Sequence, residues 1–410
     1  MPAAIYILGL AIFAQGTSEL MLAGLLPEMA ADLGVSIPHT GLLISAFAVG
    51  MLVGAPILAV ATLRWSRRTA LLTFLAIFAA AHVAGALTPN YAVLLTTRIV
   101  GAFVYAGFWA VAAVTAVGLV GPTARGKAMG VVAGGLTVAT VVGLPAGTVI
   151  GQHFGWRAAF WAVAALSALA AVGVIATIPG GRPHPQRASR LQDEFRALAN
   201  PQVWLLYATT ALATTALIVS FSYLAPMLTE TTGLSPAWVP AVLALYGIGA
   251  FAGITIGSRT ADAHPFRTLR VGVLGLVVVS TVLALAADVP ALAVPAILLL
   301  GAFGFATNPV LNSRAFALAP EAPTLAAATN VSAFNVGITA GPWLGGLAID
   351  AGFDYPVIAW IGAALGVVTL GVVALSAGPQ SPRSRAARSA KASDPAVLPD
   401  GPAPVGAACD

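Results

Sequence analysis

The sequence has few charged residues and almost no cysteine. Only 8% of its 410 residues are Asp, Glu, Lys or Arg, whereas a soluble domain carries about a quarter. So small a charged fraction cannot cover a water-exposed surface, which excludes an ordinary soluble protein. The single cysteine, Cys409, is the penultimate residue, so neither an intramolecular disulfide nor a multi-cysteine metal site is available.

Nucleotide-binding and catalytic motifs are also absent. The sequence contains no Gly-x-x-x-x-Gly-Lys-Ser/Thr loop for ATP phosphates, and no His-Glu-x-x-His motif, pair of intramembrane aspartates or Ser/His arrangement for catalysis. The net charge of +5 does not indicate nucleic-acid binding, because the basic residues lie in short clusters between apolar runs. We therefore expect no enzyme, no nucleic-acid partner, no cofactor and no metal, with an ion gradient as the energy source.

What the sequence contains instead is a series of long apolar runs. Hydrophobic residues make up 59% of the chain, and a helix needs about 20 consecutive apolar residues to cross roughly 30 Å of bilayer hydrocarbon. Twelve such runs, separated by turn signals or charged clusters, predict an all-α membrane protein with twelve transmembrane helices. The predicted spans are 5–27, 39–62, 69–88, 91–118, 128–153, 156–178, 203–228, 237–260, 268–288, 290–318, 322–350 and 354–376.

A polar stretch rich in Pro and Arg divides these spans into two sets of six. Beyond the last span the chain turns to Pro, Ser, Ala and Arg without periodicity, a composition that cannot bury a core. The predicted units are an N-terminal six-helix bundle at 1–178, a cytoplasmic linker at 179–202, a C-terminal six-helix bundle at 203–376 and a disordered cytoplasmic tail at 377–410.

The distribution of basic residues predicts the orientation. All but two of the 19 Lys and Arg residues fall on one side of the predicted topology; Arg98 lies within a span and Arg157 at the opposite face. Short loops rich in Lys and Arg remain in the cytoplasm. Both termini are therefore predicted to be cytoplasmic.

Glu19 is the only acidic residue that these boundaries put deep inside a span. A carboxyl group removed from water favours its neutral form, so it can exchange a proton near neutral pH. Glu19 is the predicted proton-coupling residue, and the alternative is a permanently paired structural carboxylate. Arg98 lies at a similar depth in span four and could pair with Glu19 when it is ionised, or could bind only backbone carbonyls. His82 and His153 are predicted to be packing or interface residues rather than proton relays.

Aromatic and neutral polar residues recur on one face of several spans. Tyr105 and Trp109 follow Arg98 by seven and eleven residues, so all three project within about 20° of one direction. Such residues suit an amphiphilic cavity for a neutral molecule with an aromatic ring and several hydroxyl or amide groups; ordinary helix packing is the alternative. The predicted substrate-binding residues are Gln15, Tyr105, Trp109, Tyr207, Thr214, Phe221, Asn308 and Asn312.

Two stretches carry a resemblance to a known family. Residues 143–160 contain three regularly spaced glycines and a proline before Gly155-Trp156-Arg157, and residues 16–27 read Gly-Thr-Ser-Glu followed by Gly-Leu-Leu-Pro at 24–27. With the six-plus-six organisation, these stretches resemble the major facilitator superfamily. The specific likeness is to its twelve-helix drug/proton antiporters, and among them to actinobacterial chloramphenicol exporters. The antiporter-motif residues are Gly143, Pro145, Gly147 and Gly151.

The loop after the second span departs from the family pattern Asp-Arg-x-Gly-Arg-Arg. Here residues 63–68 read Leu-Arg-Trp-Ser-Arg-Arg, so the acidic position is Leu63. A charge-pair latch centred on this loop is not expected, whereas an acidic residue remains available in the second half. The predicted cytoplasmic-loop motif residues are Arg64, Arg67, Arg68 and Asp262.

The resemblance implies a function. It implies proton-coupled efflux of a small amphiphilic drug by alternating access, with chloramphenicol or a related amphenicol as the expected substrate. The expected partners are the drug, protons and membrane lipid, and the expected state is a monomer in a bacterial inner membrane. Export of sugars or nucleosides is the alternative within the same superfamily, and a non-transporting receptor or channel is a more distant one.

Overall fold

Most of the chain is described by the computed structural model. The predicted linker lies mostly outside the described residues and the predicted tail lies wholly outside them, as do Arg64 and Asp262 of the loop motif. The described residues are 1–62, 65–121, 124–180, 201–261, 263–319 and 323–376.

The described part of the chain is a bundle of long helices. Eleven of them are long and apolar enough to cross a membrane, and a further helix of 28 residues occupies the eleventh predicted span. The predicted fold class is therefore confirmed. In chain order the helices are α1 Ala3–Gly24, α2 Ile37–Ala61, α3 Arg67–Leu87, α4 Tyr91–Gly118, α5 Arg125–Phe154, α6 Trp156–Thr177, α7 Pro201–Ser222, α8 Pro236–Thr260, α9 Pro265–Leu285, α10 Pro290–Leu318, α11 Pro323–Asp350 and α12 Pro356–Ser376.

The observed bounds follow the predicted spans closely, except at the end of α7. That helix ends at Ser222 because Tyr223 leaves the helical region of backbone space. A short helix, Leu224–Pro226, and a π turn, Met227–Thr231, then continue the segment that the apolar run had predicted as one helix. The apolar run therefore predicted the length of the buried segment but not its break.

Side-chain caps explain where two helices begin. The Ser66 hydroxyl accepts a hydrogen bond from the Thr69 backbone N–H at 3.1 Å at the start of α3. The Asn90 side chain accepts bonds from the first backbone N–H groups of α4, the shortest at 2.8 Å from Ala92. These N–H groups have no partner within their own helix, so a Ser or Asn cap stabilises the first turn.

The motif glycines of α5 form its contact with α1. Gly143, Gly147 and Gly151 are spaced by four residues and lie against Thr17, Met21 and Leu25 of the α1 segment, where an added Cβ would overlap each partner. A π turn at Ala139–Gly143 precedes Pro145, which has no backbone N–H to donate. Glycine and proline thus permit a close and bent helix contact here.

Two glycine-rich helix contacts repeat between the halves. In the first half, Gly50 and Gly54 of α2 lie against backbone carbonyl oxygens of α4. In the second half, Gly249, Gly253 and Gly257 of α8 lie against backbone carbonyl oxygens of α10. The second and fourth spans of each half are therefore packed backbone to backbone, as an internal repeat would require.

The two sets of helices meet at the end of the bundle far from Met1 and Ser376, which we call the far end. There the Ser45 hydroxyl donates to the Thr339 carbonyl at 2.7 Å, joining α2 to α11. The Gln152 amide donates to the Pro236 carbonyl at 2.9 Å, joining α5 to α8. Tyr223 packs against glycines of both α2 and α11. The far end is therefore closed.

The opposite end, near Met1 and Ser376, is open, and we call it the terminal end. Along its length α8 packs against Leu144–Phe154 and the π turn Ala139–Gly143 of α5, but it hardly contacts Arg125–Val138, which lies nearer the terminal end. On α5, a Cβ added at Gly130 would meet no atom within 4 Å. In this part of the boundary between the two sets, α5 and α8 thus diverge from the far end toward the terminal end.

A polar contact at the far end joins the segment after α1 to α6. The Arg157 guanidinium donates to the Asp32 carboxylate and to the Thr88 carbonyl, and the Trp156 indole donates to Asp32 at 3.0 Å. The Arg157 guanidinium also lies 4.4 Å from the centre of the Trp156 ring. The hydrogen bond from Arg157, assisted by that from Trp156, lowers the pKa of the Asp32 carboxyl below its ordinary value.

We expect Asp32→Asn to lower thermal stability in a pH-dependent way. A carboxyl whose pKa is lowered by folding stabilises the fold above its unfolded value of about 4 and loses this contribution as the pH falls further. Because the ion pair is partly exposed, the expected fall in melting temperature at pH 7 is about 1–2 °C. Melting of detergent-solubilised protein at pH 7 and pH 3.5 (about half a unit below that value) should show a smaller difference at the lower pH, whereas exposed Asp288→Asn should change neither.

Candidate functional site

Arg98 of α4 is held by α1 inside the bundle. Its side chain is 1% exposed, and its two terminal nitrogens donate to the Ser18 hydroxyl at 2.7 Å and to the Ser18 carbonyl at 3.0 Å. The guanidinium lies 4.2 Å from the centre of the Phe47 ring of α2. A buried cation is thus stabilised by neutral oxygens and an aromatic face.

Glu19 follows Ser18 on α1 and is only half-buried. In the described part of the chain it forms no hydrogen bond or ion pair, although it interacts electrostatically with Arg98 and with Tyr105. Its carboxyl group therefore has a charged neighbour, no fixed partner and accessible surface that water can reach. These are the properties that proton exchange requires.

Gln15 lies one turn before Glu19 and is 1% exposed. Its amide nitrogen and its amide oxygen both lack a hydrogen-bond partner among the described residues. An unpaired buried amide costs about 1–3 kcal/mol. A ligand that carries both a hydrogen-bond donor and an acceptor would satisfy it.

Ser18 and His82 are polar residues of this site that the sequence did not predict. His82 of α3 is 2% exposed, its Nε2 lies 2.6 Å from the Ser18 hydroxyl, and its Nδ1 lies 2.8 Å from the Phe78 carbonyl. A buried histidine in a span was the available signal, but its partner could not be read from the sequence because 64 residues separate it from Ser18.

Aromatic rings cover the rest of this cluster. Tyr105 is fully buried, with its ring centre 6.0 Å from that of Phe47 and 6.3 Å from that of Phe78. Its side chain also interacts with that of Trp109, which is half-buried. The structure thus brings Tyr105 into one cluster with Glu19 and Arg98, and it places Trp109 beside that cluster.

Three predicted residues of α7 take different positions. Phe221 stacks on Tyr246 of α8, with ring centres 4.6 Å apart and an interplanar angle of 20°. The Thr214 hydroxyl donates to the Thr210 carbonyl of its own helix at 2.7 Å. Tyr207 is 5% exposed and interacts with Thr329 of α11. These residues share one helix but do not form one contact group.

A chain of neutral hydrogen bonds joins three helices of the second half. The Thr210 hydroxyl bonds to the Asn330 amide oxygen at 2.9 Å, and the Asn330 amide nitrogen donates to the Asn312 amide oxygen at 2.9 Å. Asn312 in turn donates to the Asn308 carbonyl at 3.0 Å. Asn330 of α11 is fully buried and was not predicted. No hydrogen bond or ring contact among the described residues joins this chain to the Glu19 cluster.

The described loop-motif residues lie away from both groups. Arg67 lines a cavity of about 370 Å³ at the ends of α3, α4 and α5, together with Arg125 and Met129. Arg68 is half-buried nearby. None of the predicted proton-coupling or substrate-binding residues lines this cavity. Among the residues described, no group of His, Cys, Asp and Glu side chains could hold a metal ion.

Comparison with known sequences identifies relatives over nearly the whole chain. The sequence model of the Major Facilitator Superfamily matches residues 8–332. A chloramphenicol resistance protein of Streptomyces lividans is 44% identical over 344 residues, which cover 83% of this chain and 88% of that protein. The inner membrane transport protein YdhP of Escherichia coli K12 is 34% identical over 377 residues, or 91% and 95% of the two chains.

Solved structures share the fold at low sequence identity. The nucleoside transporter NupG aligns with a TM-score of 0.74 at 13% identity, covering 93% of this chain and all of that one. A bacterial homologue of the human lysosomal transporter Spinster, in an inward-facing and unoccupied conformation, aligns with a TM-score of 0.68 at 20% identity, covering 91% and 94%. At these identities the similarity establishes the fold alone.

Proposed function

The chain belongs to the major facilitator superfamily, a family of membrane transporters and not of enzymes, and on that premise we propose that it exports a small amphiphilic drug in exchange for protons. Chloramphenicol or a related amphenicol is the proposed substrate. The proposed partners are the drug, protons and membrane lipid, with no nucleic acid and no cofactor, and the proposed state is a monomer.

The observation that carries the proposal is the position of Glu19 beside Arg98. A half-buried carboxyl group without a fixed partner can take up a proton and lose its attraction for the arginine. When it releases the proton, the attraction returns. Protonation therefore changes the force between α1 and α4, which is how a proton could favour one conformation over another.

The substrate class is supported by a relative and by the chemistry of the site. The Streptomyces lividans protein named for chloramphenicol resistance is 44% identical to this chain. Near Glu19 the site offers Gln15, a buried amide with unpaired donor and acceptor groups, and the ring of Tyr105. A neutral molecule with an aromatic ring, hydroxyl groups and an amide would match these groups.

The open and closed ends support alternating access in a bacterial inner membrane. The basic loops favour cytoplasmic termini, so the open terminal end would face the cytoplasm and the structure would be inward-facing. Drug would enter from the cytoplasm, and closure of the terminal end with opening of the far end would release it outside. The Ser45–Thr339 bond would break in that step.

Accumulation of labelled chloramphenicol tests this function. Cells that express the protein should accumulate less label than control cells, and a proton uncoupler should abolish the difference. If one proton is exchanged per neutral drug molecule, each pH unit of gradient sustains up to about a tenfold concentration ratio. Labelled nucleosides and sugars are assayed in parallel. Export of one of these instead of chloramphenicol would refute the substrate assignment, and export that survives the uncoupler would refute proton coupling.

A further inference from the structure

His82, Ser18 and Arg98 form a directed chain of hydrogen bonds across three helices. A carbonyl oxygen can only accept, so His82 Nδ1 carries a hydrogen and donates to the Phe78 carbonyl at 2.8 Å. In the neutral ring Nε2 then has a lone pair, which accepts the Ser18 hydroxyl hydrogen at 2.6 Å. The Ser18 oxygen in turn accepts from Arg98 at 2.7 Å. This arrangement satisfies both ring nitrogens of His82 and the Ser18 hydroxyl, whereas Arg98 Nε has no hydrogen-bond partner among the described residues.

The chain gives Arg98 a partner other than Glu19. Because the Ser18 hydrogen points to His82, the lone pairs of Ser18 point toward Arg98. The backbone carbonyl of Ser18 accepts a second bond from the same guanidinium at 3.0 Å. The next residue along α1 is Glu19, with which Arg98 forms no ion pair. Ser18 and Glu19 therefore compete for one guanidinium.

We infer that His82 is a positioning residue for proton exchange: it orients the Ser18 hydroxyl so that Arg98 rests on Ser18 while Glu19 is protonated. The inference deepens the proposed function and rests on it. Without the His82 acceptor, the Ser18 hydroxyl turns elsewhere and Arg98 is freer to pair with Glu19. An ionised Glu19 is then better stabilised, so it holds its proton only at lower pH.

The surroundings of His82 contain few other groups that could produce the same effect. The polar and charged groups that interact with it are the Ser18 hydroxyl of α1, Arg98 of α4 and the Phe78 carbonyl of its own helix. Glu19 interacts with Arg98 and not directly with His82. The other neighbours are aromatic: the ring centres of Phe160 of α6 and of Phe78 lie 5.5 Å and 4.2 Å from that of His82. A change in the titration of Glu19 on altering His82 would therefore pass through Ser18 and Arg98.

The test follows the protonated carboxyl group directly and does not depend on the substrate. The infrared band of a protonated carboxyl group is recorded in the purified full-length protein as a function of pH, and the part that Glu19→Gln removes is assigned to Glu19. His82→Phe and Ser18→Ala should each lower the pH midpoint of that band by about one unit, since each weakens a charge-assisted bond to Arg98. His82→Gln, whose carbonyl oxygen takes the place of Nε2, should stay close to the parent.

A double variant tests whether His82 and Ser18 act through one chain of hydrogen bonds or independently of each other. His82→Phe combined with Ser18→Ala should shift the midpoint no further than either change alone, because both act through one bond. Unchanged midpoints in both single variants would overturn the inference, as would shifts that add in the double variant. A merely structural role for His82 would reduce the yield of folded protein and leave the midpoint where it was. If Glu19→Gln removes no band at any pH, the proposed proton coupling fails instead.

Discussion

Glu19→Gln is expected to abolish proton-driven export and to leave a folded protein that still binds drug. Glutamine keeps the shape and hydrogen-bonding capacity of the protonated carboxyl group but cannot ionise. The attraction between α1 and Arg98 would then no longer change with pH, so a pH gradient could not favour one conformation. The parent protein is expected to sustain a drug concentration ratio of up to about tenfold per pH unit, and the variant is expected to sustain none. Accumulation of labelled chloramphenicol measures the loss, and binding of the same label to purified protein measures what remains.

The matched control is Glu230→Gln, the same change at an exposed acidic residue of the far end. Glu230 accepts a hydrogen bond from the Tyr355 hydroxyl at 3.4 Å and is not part of the Arg98 cluster. We expect this variant to export drug as the parent does. If Glu19→Gln also exports normally against a gradient, Glu19 does not couple transport to protons, whatever the substrate is.

The predictable part of this structure depends on local patterns. Each transmembrane helix follows from one apolar run, and the start of α4 follows from the turn signal that precedes it. Glu19 could be singled out because one acidic residue in an apolar span is costly wherever its partners lie. These features need no knowledge of how the helices pack.

The unpredictable part depends on which helices meet. Ser18 bonds to His82, 64 residues away, and accepts from Arg98, 80 residues away. Asn330 likewise depends on Thr210, 120 residues before it. Several polar residues lie at a similar depth to each of these, so the sequence pattern alone does not identify the hydrogen-bond partner. Helix packing determines which residues meet, including the glycine contacts that bring backbones together.

The conformation could not be predicted for a related reason. The Ser45–Thr339 bond joins the two sets at the far end, whereas α5 and α8 separate toward the terminal end. In a transporter that alternates between two conformations, one sequence must supply the contacts that close each end in turn. Apolar and small residues at the boundary between the two sets can pack in either arrangement, so the apolar pattern of the sequence does not indicate which one is adopted.

Gly253→Leu is expected to prevent stable packing of α8 against α10. A Cβ at this position would overlap the Ala302 carbonyl, and backbone cannot move aside as a side chain can. The helices would have to separate, which also weakens the contacts at Gly249 and Gly257. Overpacking typically costs about 1–3 kcal/mol when side chains can adjust. Because the obstacle here is backbone, we expect a cost of about 3 kcal/mol or more, which for a protein of this size lowers the melting temperature by about 4 °C or more.

The comparison that isolates packing is Gly371→Leu on α12. A Cβ there meets no atom within 4 Å, while the substitution brings the same gain in helix propensity and apolar surface. Size-exclusion chromatography of heated, detergent-solubilised protein should show the Gly371 variant melting near the parent and the Gly253 variant melting well below it. Gly253→Ala should fall between them, since its methyl group produces the overlap without the bulk. Equal melting of both leucine variants would mean that α8 and α10 tolerate separation, and that the glycine repeat does not hold the second half together.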